Sequence, residues 1–143
     1  MKSSTSFISS GTVSLPASED EALLWPVIAQ GDHVRVRKDS GGWVFKEFKR
    51  PESCVAFEAL IKLRDCLAPG YAIPPMLAAR LGYFQRFIDG PAPSRKEAMR
   101  HAFRINQNAS RFGLYFTDLK TRNLIVGHGV VFVVDTLAVD MSR

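Results

Sequence analysis

The stretch GLYFTDLKTRNLIVGHGVVFVVD, residues Gly113–Asp135, decides how this chain folds. It opens with Gly113, a residue suited to the left-handed position that ends a helix. An apolar turn comes next, and then the polar run Thr117–Asn123. Two β-like runs follow, Leu124–Val126 and Val130–Val134, and the glycine-rich turn between them predicts a tight hairpin. The stretch therefore predicts a helix end, a polar loop and a hairpin, in that order.

Three polar residues of this stretch can lie at one edge of the hairpin. Asp118 and Asn123 stand in the loop before the first strand, and Asp135 closes the second strand. An Asp and an Asn offer the oxygen ligands that Mg²⁺ prefers, and a second Asp beside them can orient a hydroxyl. Asn123 could instead cap a turn. Asp135 follows five apolar residues, and a carboxylate buried there needs a partner or a metal. The three residues together point to phosphoryl transfer.

The order and spacing resemble the catalytic loop and metal-binding strand of the protein-kinase-like superfamily, written H-R-D-x-x-x-x-N followed by D-F-G. Asp118 matches the catalytic-loop Asp, and Lys120 matches the Lys two residues later in many protein kinases. Asn123 matches the metal-binding Asn, and Asp135 matches the Asp of D-F-G. The resemblance implies that Asp118 accepts the proton of the acceptor hydroxyl and that Lys120 steadies the γ-phosphate. It also implies that Asn123 and Asp135 hold Mg²⁺.

Other positions depart from the family pattern. Phe116 and Thr117 stand in place of His and Arg, and Thr136 and Leu137 stand in place of Phe and Gly. In many protein kinases the replaced Arg meets a phosphate on the activation segment, and almost no such segment follows Asp135 here. We therefore expect an enzyme that is not gated by activation-loop phosphorylation. The economy of the chain resembles small kinase-like effectors of bacteria, and the loop resembles that of bacterial lipopolysaccharide-core sugar kinases.

The residues before this stretch resemble the N-lobe of the same superfamily. Alternating runs at Val34–Arg37 and Trp43–Phe48 predict two strands, preceded by an edge strand over Leu23–Ile28. The resemblance places Lys46 where the family has the Lys that contacts the α and β phosphates of ATP. It places Gly31 in the loop that covers the nucleotide, with one of the family's three glycines kept. A solvated strand face is the structural alternative for Lys46.

A helix predicted over Pro51–Leu67 holds the acid that the resemblance pairs with Lys46. Glu58 is the candidate, and Glu52 is the weaker alternative. A mid-helix Glu is otherwise most often a solvated surface residue. The pairing with the strand Lys is therefore an expectation of the resemblance.

Two further strands are predicted at Met76–Ala79 and Leu81–Ile88. The second runs into Asp-Gly-Pro, and in this respect it resembles the strand and hinge of small bacterial kinases. The resemblance implies that backbone groups around Ile88 bond the adenine of ATP. A capping box of Ser94 and Glu97 then opens a long helix.

These elements predict an α+β fold of the protein-kinase-like type. An antiparallel N-lobe sheet with one helix would span about residues 19–88. A minimal C-lobe, made of one long helix and the catalytic-loop hairpin, would span about residues 91–143. Residues 1–18 are rich in Ser and Thr and lack the apolar core of a signal peptide. We expect a flexible leader there, although such leaders also resemble the export signals of injected bacterial effectors.

Composition limits the partners. The chain has 143 residues, enough for one domain, and its net charge of +5 favours anionic partners unless it reflects only a basic solvated surface. Cys54 and Cys66 form no C-x-x-C pair, and the histidines His33, His101 and His128 lack metal-ligand spacing. No apolar run has the length of a membrane span. We therefore expect a cytoplasmic protein, with export into a host cell as the alternative.

The sequence thus predicts an ATP- and Mg²⁺-dependent phosphotransferase that acts on protein Ser/Thr hydroxyls. A sugar or lipopolysaccharide-type small molecule is the alternative acceptor. A non-catalytic kinase-like module that binds nucleotide or a partner is the second hypothesis, favoured by the single-glycine loop. A nucleic-acid-binding domain ranks last, because the predicted strands show no stacking aromatic face. The sequence leaves the oligomeric state open.

Overall fold

The fold is α+β, as the sequence predicts, and combines an antiparallel sheet with helices. The structure is a computed structural model, and it describes residues 16–31, 33–51, 53–117, 119–134 and 137–140. Most of the predicted leader therefore lies outside the described residues. The chain divides into two compact units, one of Ser53 and the residues before it with Pro75–Phe87, the other of Cys54–Pro74 with the residues from Ile88 onward. Within the described ranges, no helix has the length and apolar character to cross a membrane.

Helices and strands alternate irregularly along the chain. The helices are α1 (Glu19–Ala22), α2 (Ser53–Arg64) and α3 (Arg95–Ala109), with 3₁₀ turns at Ser110–Phe112 and Thr121–Asn123. The strands are β1 (Val27–Gln30), β2 (Val34–Lys38), β3 (Trp43–Phe48), β4 (Tyr71–Ala72), β5 (Met76–Ala78), β6 (Gly82–Arg86), β7 (Leu114–Thr117), β8 (Leu124–Val126), β9 (Val131–Val133) and β10 (Leu137–Asp140).

The first unit is built on a five-stranded antiparallel sheet with the strand order β1-β2-β3-β6-β5. Side chains alternate between its two faces along each strand. On one face Trp43, Phe45 and Phe84 pack in a buried cluster with Ala22 of α1. The ring centroids of Phe45 and Phe84 lie 4.9 Å apart. Lys46 follows Phe45 in β3 and therefore belongs to the opposite face.

The chain before β1 differs from the predicted edge strand over Leu23–Ile28. Helix α1 comes first, a turn follows, and β1 begins at Val27, directly after Pro26. The side chain of Ser18 caps α1 by accepting a hydrogen bond from the Glu21 N–H at 3.2 Å, and acidic residues in the first turn complement the helix dipole. Pro26 has no N–H to donate to a ladder, so the strand starts after it.

The pairing of β3 with β6 depends on Gly82. A Cβ added at Gly82 would lie 2.2 Å from the carbonyl oxygen of Lys46 and 3.0 Å from the Cα of Glu47. Both are backbone atoms, which cannot rotate out of the way. Gly82→Ala should therefore lower the free energy of unfolding by about 3 kcal/mol, the upper end of the usual cost of overpacking. Urea unfolding measures this change.

Gly31→Ala is the matched control for that substitution. A Cβ at Gly31 would meet only the carbonyl oxygen of Val34 at 3.8 Å, an ordinary contact. The free energy of unfolding should stay the same or rise by up to about 1 kcal/mol, because Ala restricts the unfolded chain. An equal loss of stability in both variants would show that close strand approach is not what Gly82 provides.

The second unit contains α2, α3 and two small sheets. One sheet has the order β4-β9-β8, in which β4 and β9 run parallel and β8 and β9 form the predicted hairpin. The other is the antiparallel pair β7–β10. No strand is predicted from the sequence where β4, β7 and β10 lie. All three are strands because each finds a partner far away in the chain.

Helix α3 begins as the sequence predicts. The Ser94 hydroxyl accepts from the Glu97 N–H at 3.1 Å, and the Ser94 N–H donates to the Glu97 carboxylate at 3.1 Å. The hydrogen bonds from Ser94 hold the pKa of Glu97 below its ordinary value. At the other end Gly113 takes the left-handed conformation with φ of 73°. The buried core of this unit includes Ile105, Ala109, Leu114, Phe116, Leu124 and Val133.

Candidate functional site

The loop between β7 and β8 is fixed at its end by Asn123. The backbone N–H of Asn123 donates to the Lys120 carbonyl at 2.9 Å and closes a 3₁₀ turn. The carbonyl of Asn123 accepts from the Val134 N–H at 2.9 Å, one step beyond the β8–β9 hairpin. The residue is 2% exposed although its side chain is an amide. A buried amide requires partners for its polar atoms, so this position needs an amide side chain and not only one of the right size.

The other end of the same loop is held by the pairing of strands β7 and β10. Thr117, the last residue of β7, is paired with Leu137, the first residue of β10. Asp118 follows Thr117 in the chain, and Asp135 follows Val134. Asp118 and Asp135 themselves lie outside the described residues. The described residues that flank them are nevertheless tied together by β7–β10 on one side and by the bond between Val134 and Asn123 on the other.

Strand β7 is held in place by a side chain of α3 that the sequence does not single out. The Asn106 amide donates to the Phe116 carbonyl at 3.0 Å and accepts from the Phe116 N–H at 2.8 Å. It thus occupies both backbone groups of one strand residue. Phe116 is 1% exposed and belongs to the buried core of the second unit. No local sequence signal distinguishes such an Asn from one on the helix surface.

Lys46 is buried on β3. It is paired with Val36 on β2 and with Tyr83 on β6, and its ammonium lies 5.8 Å from the centroid of the Tyr83 ring. The residue is 5% exposed, so the alternative of a solvated strand face does not apply. Lysine is almost never buried unless its charge is paired. We therefore expect the Lys46 ammonium to be paired with an anionic side chain or ligand.

The next residue along β3 has a different role. Glu47 lies on the other face, where its carboxylate accepts hydrogen bonds from Arg37 at 3.0 Å and Arg35 at 3.2 Å. Burial raises the pKa of Glu47, but the two guanidinium groups outweigh that effect and hold it below the ordinary value. This ion-pair cluster joins β2 to β3. The strand alternation thus separates a structural carboxylate from the candidate Lys46.

The predicted partner of Lys46 lies in the second unit. Glu58 is an exposed residue in the middle of α2. Glu52, the alternative, lies outside the described residues. The pairing of Lys46 with an acid of this helix stays a prediction.

The predicted nucleotide loop is an exposed turn between β1 and β2. The Gly31 N–H donates to the Val34 carbonyl at 2.9 Å, and the Gly31 carbonyl accepts from the Lys49 ammonium at 2.9 Å. A Cβ added at Gly31 would make only an ordinary contact, 3.8 Å from the Val34 carbonyl oxygen. Within the described chain, the Nδ1 of His33 beside this turn is buried without a hydrogen-bond partner. Both backbone hydrogen-bonding groups of Gly31 are thus engaged within the first unit.

The predicted hinge falls where the chain passes between its two units. Phe87 ends the second segment of the first unit, and its N–H donates to the Gly42 carbonyl at 2.8 Å. Ile88 is the first residue of the second unit and is half-buried. The hydrogen bond from this backbone to adenine stays a prediction.

Of the three residues predicted to form a Mg²⁺ site, the structure describes only Asn123. Asn123 supplies a buried amide, and the carboxylates expected beside it belong to Asp118 and Asp135. Among the residues that the structure describes, no group of three or more His, Cys, Asp or Glu side chains could hold a metal. Lys120 is exposed on the loop that leads to Asn123.

Comparison with known proteins adds no family. No protein-family model matches the chain, and no curated protein matches it. The likeness to kinases therefore rests on the order and spacing of the residues described above.

Proposed function

We propose that this protein is an ATP- and Mg²⁺-dependent phosphotransferase of the protein-kinase-like type, which transfers the γ-phosphate to a Ser or Thr hydroxyl of a protein. The observation that supports this most is the way the flanks of three candidate residues converge. Thr117 pairs with Leu137, and Val134 bonds Asn123. The strand pairing and the hydrogen bond both lie at the ends of the segment for which the kinase-like spacing predicts a base and two metal ligands.

The nucleotide end of the proposed site depends on Lys46. A cation held at 5% exposure interacts with phosphate more strongly than a solvated one, because water does not screen the charge. In the proposed mechanism Lys46 contacts the α and β phosphates of ATP. The backbone of Gly31 covers the phosphates, and the backbone around Ile88 bonds the adenine.

The acceptor end depends on Asp118. Its carboxylate takes the proton of the acceptor hydroxyl as the hydroxyl oxygen bonds to the γ-phosphorus. The bond between that phosphorus and the bridging oxygen breaks, and ADP leaves with the electron pair. Lys120 steadies the γ-phosphate, and Asn123 and Asp135 are the residues that hold the metal. Mg²⁺ supplies charge neutralisation of the transferred group when it is bound.

The acceptor class is identified by labelling. The protein is incubated with Mg²⁺, ATP labelled at the γ-phosphate and a cell lysate, and the products are divided into protein and extractable small molecules. We expect label in protein, recovered as phosphoserine or phosphothreonine after acid hydrolysis. Label confined to an extracted sugar or lipid would keep the phosphotransferase and replace its acceptor. ATP binding without transfer in any fraction would favour the non-catalytic module.

A further inference from the structure

Helix α3 exposes large apolar side chains on one stripe. Met99 and Phe103 stand one helical turn apart and are 69% and 71% exposed. Phe103 also lines a groove of about 410 Å³ between α3 and β7. The groove is lined by Ala102, Phe103, Asn106, Gln107, Ser110 and Tyr115. Exposed apolar surface of this kind, beside a concave groove, is typical of interaction sites.

A basic stripe runs along the same helix beside the apolar one. Lys96, Arg100 and Arg104 are spaced four residues apart, so they lie above one another on the helix, and each is exposed. Arg111 continues the positive charge in the following turn. None of the four forms an ion pair with any residue that the structure describes. The groove thus has an apolar floor and a cationic flank.

We propose that this surface binds an acidic amphipathic helix of a partner protein. Apolar anchors on such a helix would enter the groove beside Phe103, and carboxylates on its flank would meet Arg100 and Arg104. The charge complementarity selects this occupant. A second copy of the chain would bring two cationic stripes together, which repel each other. A nucleic acid would make no apolar contact with Met99 or with the groove floor. The proposal does not depend on phosphoryl transfer.

The probe is a fluorescently labelled synthetic peptide of about four helical turns, with Leu along one stripe and Glu on both sides of it. We expect saturable binding, measured by fluorescence anisotropy, that weakens as the salt concentration rises. Phe103→Ala should weaken binding about tenfold or more, as expected for an aromatic anchor that becomes buried in the complex. The double variant Arg100→Glu, Arg104→Glu should lose the Glu peptide and gain binding of the same peptide with Lys in place of Glu.

Matched variants in the first unit provide the controls. Leu24→Ala truncates another exposed apolar residue, 84% exposed, and the double variant Arg50→Glu, Arg80→Glu makes the same change of charge elsewhere. Both should bind the Glu peptide as the wild type does. Circular dichroism confirms that each variant is folded.

Four results would overturn the proposal. These are no saturable binding of the Glu peptide, equal binding of a peptide with the same residues in scrambled order, and loss of binding in the control variants. The fourth is that the wild-type protein self-associates in sedimentation, or binds a single-stranded oligonucleotide more tightly than the Glu peptide, and that Phe103→Ala abolishes this. That result would assign the surface to a second copy or to nucleic acid.

Discussion

ATP with Mg²⁺ should raise the melting temperature of the wild-type protein, and Lys46→Met should sharply reduce that increase. Lys46 is buried on β3 between Val36 and Tyr83, so the proposed contact with phosphate forms away from water. A charge-assisted hydrogen bond of this kind contributes about 2–3 kcal/mol, which corresponds to a 30- to 150-fold loss of ATP affinity. Met keeps the length of the side chain and removes its charge.

Comparing each variant with and without ATP separates this effect from a change of stability. The melting temperature without ATP reports whatever Lys46 does for the fold, and only the increment on adding ATP reports binding. Lys96→Met is the control, because Lys96 is an exposed residue of α3 outside the proposed site. It should show the full increment. An unchanged increment in Lys46→Met would remove this residue from the nucleotide site.

Asn123→Ala should reduce phosphoryl transfer by about 100-fold or more, since removing even an indirect partner of a metal ligand costs about 10–100-fold. Part of this loss should be recovered at high Mg²⁺, because a weakened metal site fills again at higher concentration. The readout is the Mg²⁺ concentration that gives half-maximal transfer, which should rise. The buried amide also contributes to the fold, and its loss should lower the free energy of unfolding by about 1–3 kcal/mol.

Asn106→Ala is the control that isolates the role of the metal. Asn106 also bonds backbone groups, but those of Phe116 in β7, a residue that is not a proposed metal ligand. Its removal should lower the free energy of unfolding by about 1–3 kcal/mol, because two backbone groups lose their partner. The half-maximal Mg²⁺ concentration should stay as in the wild type, measured well below the melting temperature. An equal rise in both variants would make the effect of Asn123 purely structural.

The elements with strong local signals could be predicted from the sequence. The capping box at Ser94 and the glycine at Gly113 mark the start and end of α3 and its final turn, and the alternation of Trp43–Phe48 marks β3. Strands β7 and β10 could not be predicted in this way. Each has four residues, and each becomes a strand only through the other, across nearly twenty intervening residues. Helix α1 has a local signal of the same kind, S-x-x-E at Ser18–Glu21, but it is short and buries only Ala22.

In the candidate site, too, the features that depend on local sequence could be predicted, and those that depend on long-range packing could not. The spacing of Asp118, Asn123 and Asp135 is local, so the sequence alone suggests their chemistry. The burial of Lys46 depends on two neighbouring strands, and the clamp of Asn106 on Phe116 depends on how a helix packs against β7. Long-range packing of this kind leaves no trace in the local pattern of residues.

Transfer of labelled γ-phosphate by wild type, Asp118→Asn and Asp135→Asn, each with and without Mg²⁺, tests the central claim most directly. Asp20→Asn, an exposed change in α1, is the matched control. We predict Mg²⁺-dependent transfer by the wild type and by the control. Transfer should be about 10²- to 10⁴-fold slower in Asp118→Asn, which loses its general base, and lost in Asp135→Asn. Transfer that is equal in all four proteins, or absent from the wild type with every acceptor, would contradict the assignment.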